Sequence, residues 1–280
     1  MDPAFDPARP EEPLRILSDL HLGHPASRAR QVNRLRPLLE GARTIVFNGD
    51  TSEERKKAFR ESGDALKADL VRLCAEVGAK PVFLSGNHDP ITPTIHHLDL
   101  YGGKVFVTHG DVFYPDVSPW SRFHKQCVEI MHRLRADYTE EQLENFELLL
   151  EINKRISREI KPRLPGAKPG LLALAQTLWN EAWPPDRPFR ILHTWATAKK
   201  TAHAFVSQHR PDARLTVVGH THRRFVSARN GRTIVNTGAM MAFAKSSLVE
   251  IKDGTATVSG LDFSGEVARR EDKPLLTLAL

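Results

Sequence analysis

The sequence predicts an α/β protein, and three observations support this fold class. Short apolar stretches typical of buried strands alternate with helical segments between residues 14 and 84. A second group of such stretches follows a long helical region. Apolar residues make up 40% of the 280 residues, which is enough to bury a core and excludes a chain that is disordered by composition.

The first five predicted elements alternate strand, helix, strand, helix, strand. Strands are predicted over 14–18, 44–47 and 80–84, because each stretch is apolar and ends in polar residues. Helices are predicted over 27–39 and 53–76, where apolar side chains recur at helical spacing. This order is typical of a sheet with parallel neighbouring strands.

A predicted hairpin and a long helical region come next. Strands are predicted over 94–98 and 104–108, since a Tyr-Gly-Gly turn separates them. Helical spacing extends over 118–183 and includes a capping box at Thr139 and Gln142. The remaining predictions are a helix end at Pro162 and Pro165, helices over 171–179 and 194–209, and strands over 215–218, 224–228, 232–236, 247–251 and 255–259.

These elements predict a core that a helical insert interrupts. The predicted parts are a flexible tail over 1–13, a core over 14–114 and 190–262, a helical insert over 115–189, and a C-terminal segment over 263–280. The tail holds four prolines and four acids and has little to bury. The insert is rich in apolar residues, so it either packs on itself and the core or forms a cap that selects the substrate.

Composition excludes several classes of protein. Two cysteines, Cys74 and Cys127, are too few for a disulfide scaffold. No apolar run approaches the ~18 residues that span a bilayer, so a transmembrane protein is not expected, while peripheral membrane contact stays open. The net charge of +6 favours anionic ligands without marking a nucleic-acid binder. With no secretory signal pattern at the start, we expect a cytoplasmic protein.

Five polar clusters follow predicted strands and point to chemistry. They are Asp19-Leu20-His21, Gly49-Asp50-Thr51-Ser52-Glu53, Gly86-Asn87-His88-Asp89, His109-Gly110-Asp111 and Gly219-His220-Thr221-His222. Ligands of α/β sheets bind beyond the carboxyl ends of the strands, so we expect the clusters to meet there. Alternation along a strand predicts that Asp19 and His21 point the same way, and that His220 and His222 do so too.

The clusters supply seven candidate metal ligands. They are Asp19, His21, Asp50, Asn87, His109, His220 and His222. Mixed carboxylate, imidazole and amide donors suit borderline divalent ions, with manganese as our first expectation and iron, zinc or cobalt as alternatives. Seven donors exceed what one ion needs, which predicts a site for two divalent ions.

The five motifs, in this order, resemble those of the calcineurin-like metallophosphoesterase superfamily. That family's pattern is D-x-H, G-D-x-x-D/E, G-N-H-D/E, a later His usually followed by Gly, and G-H-x-H. The resemblance implies a four-layer α/β/β/α sandwich of two mixed sheets. It also implies that Asp19, His21 and His222 hold a first metal, that Asn87, His109 and His220 hold a second, that Asp50 bridges them, and that His88 is the catalytic residue facing the substrate phosphate.

The implied activity is that of a dinuclear-metal-dependent phosphoesterase, in which a metal-bridging hydroxide attacks a phosphoester or phosphoanhydride. The stretch over 100–111 is similar to the UDP-2,3-diacylglucosamine pyrophosphohydrolases, which also carry a helical insert. That group typically has arginine where His88 stands, and 51–77 lacks its aromatic and acidic pattern. The expected substrate is a phosphorylated small molecule or a nucleotide- or lipid-linked one, and no protein partner is implied.

Two alternative functions remain open. A nuclease or cyclic-nucleotide phosphodiesterase would use the same metals, although no basic stripe with interleaved aromatic residues favours nucleic acid. A catalytically silent scaffold would keep the fold alone. Further candidates for supporting the site or contacting substrate are Asp111, Arg122 and Arg223. We interpret Glu53 as the acid that opens a helix and Asp89 as a partner of nearby backbone.

Overall fold

The computed structural model describes residues 5–55, 57–160 and 184–280. Its strands are β1 (Leu14–Leu17), β2 (Thr44–Asn48), β3 (Lys80–Leu84), β4 (His97–Leu100), β5 (Val105–Thr108), β6 (Leu215–Val218), β7 (Phe225–Arg229), β8 (Arg232–Asn236), β9 (Ser247–Lys252), β10 (Thr255–Asp262), β11 (Arg269–Arg270) and β12 (Leu276–Ala279). Its helices are α1 (Arg36–Leu39), α2 (Lys57–Glu76), α3 (His124–Arg135), α4 (Phe146–Glu159) and α5 (Arg187–His209). The helix predicted over 171–179 and the helix end at Pro162 and Pro165 lie outside the described residues.

The strands form two mixed sheets, as the α/β prediction requires. The first sheet has the order β11-β10-β9-β1-β2-β3, with β12 also paired to β10. The second has the order β4-β5-β6-β8-β7. Strands β1, β2 and β3 run parallel in the first sheet, and β5, β6 and β8 run parallel in the second. Each parallel set therefore brings its carboxyl ends to one edge.

The two sheets pack face to face through alternate side chains. Ile16 on β1 pairs in register with Val46 on β2 and with Val249 on β9, and all three join the apolar layer between the sheets. From the second sheet, Val107 and Val217 join the same layer. Because successive strand residues face opposite sides, the neighbours of these residues point away from it.

Helices cover the outer face of each sheet, which gives the four layers. On the first sheet, Phe47 points outward and shares a core with Leu70 of α2. On the second sheet, the last turns of α5 lie against β7 and β8, where His203 Nε2 is 3.1 Å from Ser227 Oγ. The side chain of Arg232 also donates to Ser207 Oγ. The fold class expected from the sequence, an α/β/β/α sandwich with a helical insert, is confirmed.

The chain divides into two compact units. One holds residues 1–110 and 202–280, and the other holds residues 111–201. In the second unit, α3 and α4 pack through a shared apolar core that includes Ile130 and Ile156. Within the described residues, no helix is both long and apolar enough to cross a bilayer.

Several predicted helix starts differ from the structure. Over 27–39 only a 3-10 turn from Val32 and the short α1 form, since the backbone N–H of Arg28 donates to Met240 O instead. The capping box at Thr139 and Gln142 forms, with reciprocal bonds of 2.9 and 3.2 Å, but opens a 3-10 turn. Helix α4 is capped by Asn145.

The chain ends make contacts that the strand patterns did not predict. Phe5 is buried in the layer between the sheets, and Glu12 accepts a hydrogen bond from Tyr101. These contacts concern residues 5–13 alone, and the mobility of the predicted tail stays a prediction. In the C-terminal segment, β11 and β12 extend the first sheet along β10.

Candidate metal centre

The loops after five strands meet where the carboxyl edges of the two sheets come together. The side chain of Asn48, at the end of β2, donates to Thr108 O at 2.9 Å and to Val217 O at 3.3 Å, so one amide joins three strand ends. Backbone bonds tie the loops as well, including His21 N to Asp50 O at 2.9 Å. The predicted convergence of the motifs at a strand edge is therefore what the structure shows.

Turns, and not strand alternation, aim the candidate ligands. Strand β1 ends at Leu17 and β6 at Val218, so the motif residues lie beyond both strands. Asp19, His21, Asp50, His220 and His222 have left-handed backbone with φ between 50° and 69°. Such values are uncommon outside glycine and mark a backbone shaped for a site. The prediction that His220 and His222 point the same way is wrong, because each joins a different group of donors.

The first group of donors combines two aspartates and two histidines. Asp19, His21, Asp50 and His222 each place a ligand atom within 4.8 Å of the others. His222 Nε2 lies 3.3 Å from Asp19 Oδ1 and 3.0 Å from His21 Nε2. Two imidazole nitrogens that face each other beside a carboxylate are a donor set for a cation.

The second group shares Asp50 with the first. Asp50, His109 and His220 place ligand atoms within 4.8 Å of one another. His109 Nε2 lies 3.3 Å from Asp50 Oδ2 and 3.3 Å from Asn87 Oδ1. The structure thus brings all seven predicted ligands together in two groups joined by one carboxylate.

The shared carboxylate has an oxygen with no hydrogen-bond partner among the described residues. Asp50 Oδ1 accepts the backbone N–H of His88 at 2.7 Å, whereas Asp50 Oδ2 is buried and accepts no hydrogen bond. His109 Nε2, from the second group, lies 3.3 Å from Asp50 Oδ2, and His21 Nε2, from the first group, lies 3.8 Å from it. Buried carboxylate oxygens normally have partners, so this one fits a metal ligand.

Contacts at Nδ1 orient the imidazoles of His109 and His21 so that their Nε2 atoms face Asp50. His109 Nδ1 lies 3.0 Å from the backbone oxygen of Asn48, and His21 Nδ1 lies 3.0 Å from Glu53 Oε1. A carbonyl or carboxylate at Nδ1 fixes the ring orientation and leaves Nε2 as the metal-binding nitrogen. The contacts at the two Nδ1 atoms therefore agree with the predicted metal ligands.

His88 lies at the edge of the first group. Its Nδ1 is 3.0 Å from both carboxylate oxygens of Glu53, and its ring meets that of His21 edge-on at 4.9 Å between centroids. Its side chain is 23% exposed, against 1% for His21. With Nδ1 directed at Glu53, Nε2 is the atom that remains for an incoming molecule.

The buried carboxylates are held in their charged form. Burial opposes ionisation, yet the charges of His109 and His88 hold the pKa of Asp50 well below its usual range. Burial likewise opposes the charge of Glu53, and His88 and His21 hold its pKa well below the ordinary value. Burial lowers the pKa of His88 more than these acids raise it. Anionic oxygens are therefore concentrated where cations would bind.

Two glycines let loops approach the aspartates. A Cβ on Gly86 would lie 2.1 Å from Asp50 Oδ1, and a Cβ on Gly219 would lie 2.1 Å from Asp19 Oδ2. Both distances are shorter than any real contact, so a larger residue would displace the carboxylate. The glycines of the third and fifth motifs are thus required for close packing at the site.

The supporting residues differ from their predicted roles in part. Asp89 accepts backbone N–H groups of Asp50, Thr51 and Gly86 at 2.7 to 2.9 Å, as interpreted. Burial and the charge of Asp50 raise the pKa of Asp89 to about 7. Glu53 does not open a helix, because residues 53–55 are not helical and its carboxylate faces two histidines.

The sequence suggested three further residues, Asp111, Arg122 and Arg223, for supporting the site or contacting substrate. Asp111 is buried, and its Oδ2 accepts a hydrogen bond from Lys154 Nζ at 2.8 Å within the second unit. Arg122 is half-buried before α3 in that unit, and Arg223 is exposed directly after His222. Their predicted roles in supporting the site or contacting substrate stay predictions.

The motif residues of this centre lie within a sequence region that is typical of one protein family. The model of the family described as calcineurin-like phosphoesterase matches residues 13–224. The chain belongs to the calcineurin-like phosphoesterase family. The match spans every motif residue and agrees with the resemblance found in the sequence, and the family together with the two donor groups indicates divalent metal binding.

This family member is also similar to individual proteins. It is 26% identical to the UDP-2,3-diacylglucosamine hydrolase of Neisseria meningitidis serogroup A, over 81% of this chain and 89% of that protein. Among solved structures, Vps29 complexed with zinc from Entamoeba histolytica has a TM-score of 0.39 at 14% identity, with 93% and 98% of the two chains covered. A predicted phosphoesterase from Streptococcus pneumoniae has a TM-score of 0.36 at 13% identity, with 93% and 97% covered.

The sequence patterns did not reveal the roles of two residues at this centre. Asn48 ends β2 and had no pattern to mark its amide, which bridges strand ends. Glu53 carried a signal, since it occupies the acidic place of the second motif, three residues after Asp50. The helical interpretation outweighed that signal and was wrong.

Proposed function

We propose that the protein is a metal-dependent hydrolase of phosphoester or phosphoanhydride bonds. The observation that carries this proposal is Asp50, whose carboxylate belongs to both donor groups and whose Oδ2 is buried without a hydrogen bond. A bridging carboxylate between two sets of donors is what a two-metal centre requires. Family membership supports hydrolysis of a phosphate ester as the reaction class.

The donor groups define the residues that would hold the ions. Asp19, His21 and His222 would hold one, and Asn87, His109 and His220 would hold the other, with Asp50 contributing to both. Manganese is our first candidate, and iron, zinc and cobalt suit the same donors. Bound divalent ions supply a water-derived nucleophile and neutralise charge on the phosphoryl oxygens.

His88 is the proposed catalytic side chain. Glu53 orients it through Nδ1, and its partial exposure leaves Nε2 accessible to a phosphate at the centre. From that position the imidazole can donate a hydrogen bond to a phosphoryl oxygen or a proton to the leaving oxygen. Glu53 acts through His88 and His21, so we assign it a positioning role.

A nucleotide- or lipid-linked diphosphate is the proposed substrate class. Its support is the similarity to a UDP-2,3-diacylglucosamine hydrolase along 89% of that protein. That group typically has arginine where His88 stands. We therefore expect this protein to differ from that group in the side chain that contacts the substrate phosphate. We propose that the insert over 115–189 selects the substrate and that the protein acts in the cytoplasm.

Hydrolysis of two substrates by manganese-loaded protein tests the proposal. Bis(p-nitrophenyl) phosphate tests the reaction class, and UDP-2,3-diacylglucosamine tests the substrate class. We expect both to be cleaved and both activities to disappear after chelation. Cleavage of single-stranded DNA or cyclic nucleotides alone would replace the substrate class, and cleavage of nothing would favour a silent scaffold.

The variant His88→Ala separates catalysis from metal binding. We expect its kcat to fall at least ~10²-fold while its metal content stays unchanged, because His88 is not assigned to an ion. His132→Ala, at an exposed histidine of α3, is the matched control and should keep wild-type kcat. An unchanged rate for His88→Ala would remove it from the catalytic machinery.

A further inference from the structure

A short loop in the first unit holds one aromatic side chain fully in solvent. Phe243 is 102% exposed, at the tip of the loop between β8 and β9. Backbone bonds close this loop, from Ala244 N to Met241 O at 3.1 Å and from Ala242 N to Ala26 O at 2.9 Å. The loop is therefore braced, and the exposure of Phe243 is built into its backbone.

A basic cleft lies beside this aromatic residue. Its volume is about 390 Å³, and its lining includes Arg28, Arg30, Arg34 and Ala242 but no acidic side chain. Arg28 and Arg34 donate to backbone carbonyls, which hold the guanidinium groups without neutralising them. The hydrogen bonds of Ser264 lower the pKa of the exposed Asp262, and the charges of Arg269 and Arg28 lower it further.

The Phe243 loop adds a further cation, Lys245. The side chains of Arg30 and Lys245 are exposed and make no hydrogen bond or ion pair with the residues that the structure describes. We refer to Arg28, Arg30, Arg34, Phe243 and Lys245 together as the Phe243 surface. A cluster of cations around a protruding aromatic residue is complementary to an anionic, partly apolar partner.

The Phe243 surface is joined to the metal centre by backbone. Met240 N donates to Asp19 O at 3.0 Å, and Arg28 N donates to Met240 O at 2.8 Å. The chain between His21 and Arg28 runs from a proposed metal ligand to the cleft without an intervening helix or strand. The metal centre would therefore lie close to any partner that binds this surface.

We propose that the Phe243 surface docks on an anionic lipid bilayer. Phe243 would enter the boundary between headgroups and acyl chains, while the arginines and Lys245 contact lipid phosphates. Single-stranded nucleic acid is the less favoured partner, because such sites stack several bases on several aromatic side chains and this surface offers one. Docking on a bilayer does not depend on the proposed hydrolysis.

Co-sedimentation with vesicles tests the surface. Wild-type protein should bind vesicles with 30% phosphatidylglycerol and not vesicles of phosphatidylcholine alone, and 0.5 M NaCl should weaken the binding. Phe243→Ser should weaken binding at least about tenfold, since the buried aromatic area is lost. Arg30→Gln should weaken it about fivefold, the scale for one cation near an anionic surface.

Matched controls lie on α2 of the same unit. Val71→Ser removes another exposed apolar side chain and Arg60→Gln another exposed cation, and both should bind vesicles like the wild type. Phe243→Ser should keep its melting temperature and its rate on bis(p-nitrophenyl) phosphate. If the wild type hydrolyses no ester yet binds vesicles, the docking proposal stands and the proposed function fails.

Three results would overturn the docking proposal. One is wild-type vesicle binding by Phe243→Ser. Another is loss of binding in Leu192→Ser, on the exposed apolar face of α5, without loss in Phe243→Ser. The third is binding of a single-stranded oligonucleotide that Phe243→Ser weakens while vesicle binding stays the same.

Discussion

The first unit contains two charged clusters, one half-buried and one buried, that are built in opposite ways. On the first sheet, the carboxylate of Glu250 accepts hydrogen bonds from Arg15 at 2.6 Å and from Arg270 at 2.7 and 2.9 Å. Arg15 and Glu250 are direct neighbours in the register of β1 and β9. Every charge in this cluster has a partner of opposite sign within the protein.

The metal centre is built differently. Asp19, Asp50 and Glu53 are all buried, and histidines are their neighbours in place of arginines. The backbone of Asp50 lies in the left-handed region, and its Oδ2 is left without a hydrogen bond. A half-buried carboxylate that arginines pair with is thus a structural feature, whereas a buried carboxylate with an unused oxygen indicates a ligand site.

The largest effect that would sharpen this contrast is expected for Asp50→Asn. The change removes the shared negative charge while keeping the side chain's size, so we expect kcat to fall at least ~10²-fold. The rise in melting temperature that manganese produces in the wild type should also disappear. Steady-state kinetics and thermal melts with and without manganese check both expectations, and a variant that keeps both would break the contrast.

A smaller loss is expected for Glu53→Gln. Removing the charge that orients His21 and His88 should lower metal affinity or kcat 10- to 100-fold, the usual scale for such supporting residues. The neighbouring Glu54→Gln is the control, because Glu54 accepts backbone N–H groups of Ile91 and Thr92 instead. Equal losses in both variants would show that the loop, and not the imidazole contact, matters.

The paired cluster should respond in stability and not in activity. Glu250→Gln leaves two arginines without their carboxylate, so the free energy of unfolding should fall by about 1–3 kcal/mol. Its kcat with manganese should match that of the wild type. Urea denaturation and steady-state assays measure the two quantities, and loss of activity in the folded variant would contradict the division between the clusters.

The smallest expected effect is the acid dependence of this same pair. The hydrogen bonds from Arg270 and Arg15 lower the pKa of Glu250 to about 2, below the ~4.3 typical of an unfolded glutamate. The stabilisation is therefore complete above that unfolded value and is lost as the pH falls toward 2. Urea denaturation at successive pH values should show a smaller decline for Glu250→Gln than for the wild type, and equal declines would refute the assignment.

The sequence predicted most of the strands and the meeting of the motifs, because apolar runs and the residues that end them are local signals, but it placed β4 three residues early and did not predict β12. It did not predict β11, which has only two residues and is formed by pairing with distant β10. Nor did it predict the left-handed turns at Asp19 and His220, since side-chain alternation assumes an extended backbone. Glu53 was misjudged because its partners, His21 and His88, come from other segments.

We propose that Asp50 joins two divalent cations. Anomalous diffraction from crystals of manganese-loaded protein tests this most directly. We predict two manganese peaks, one among Asp19, His21 and His222 and one among Asn87, His109 and His220, with the Asp50 carboxylate between them. A single peak that Asp50 does not contact, or no peak near these side chains, would contradict the claim.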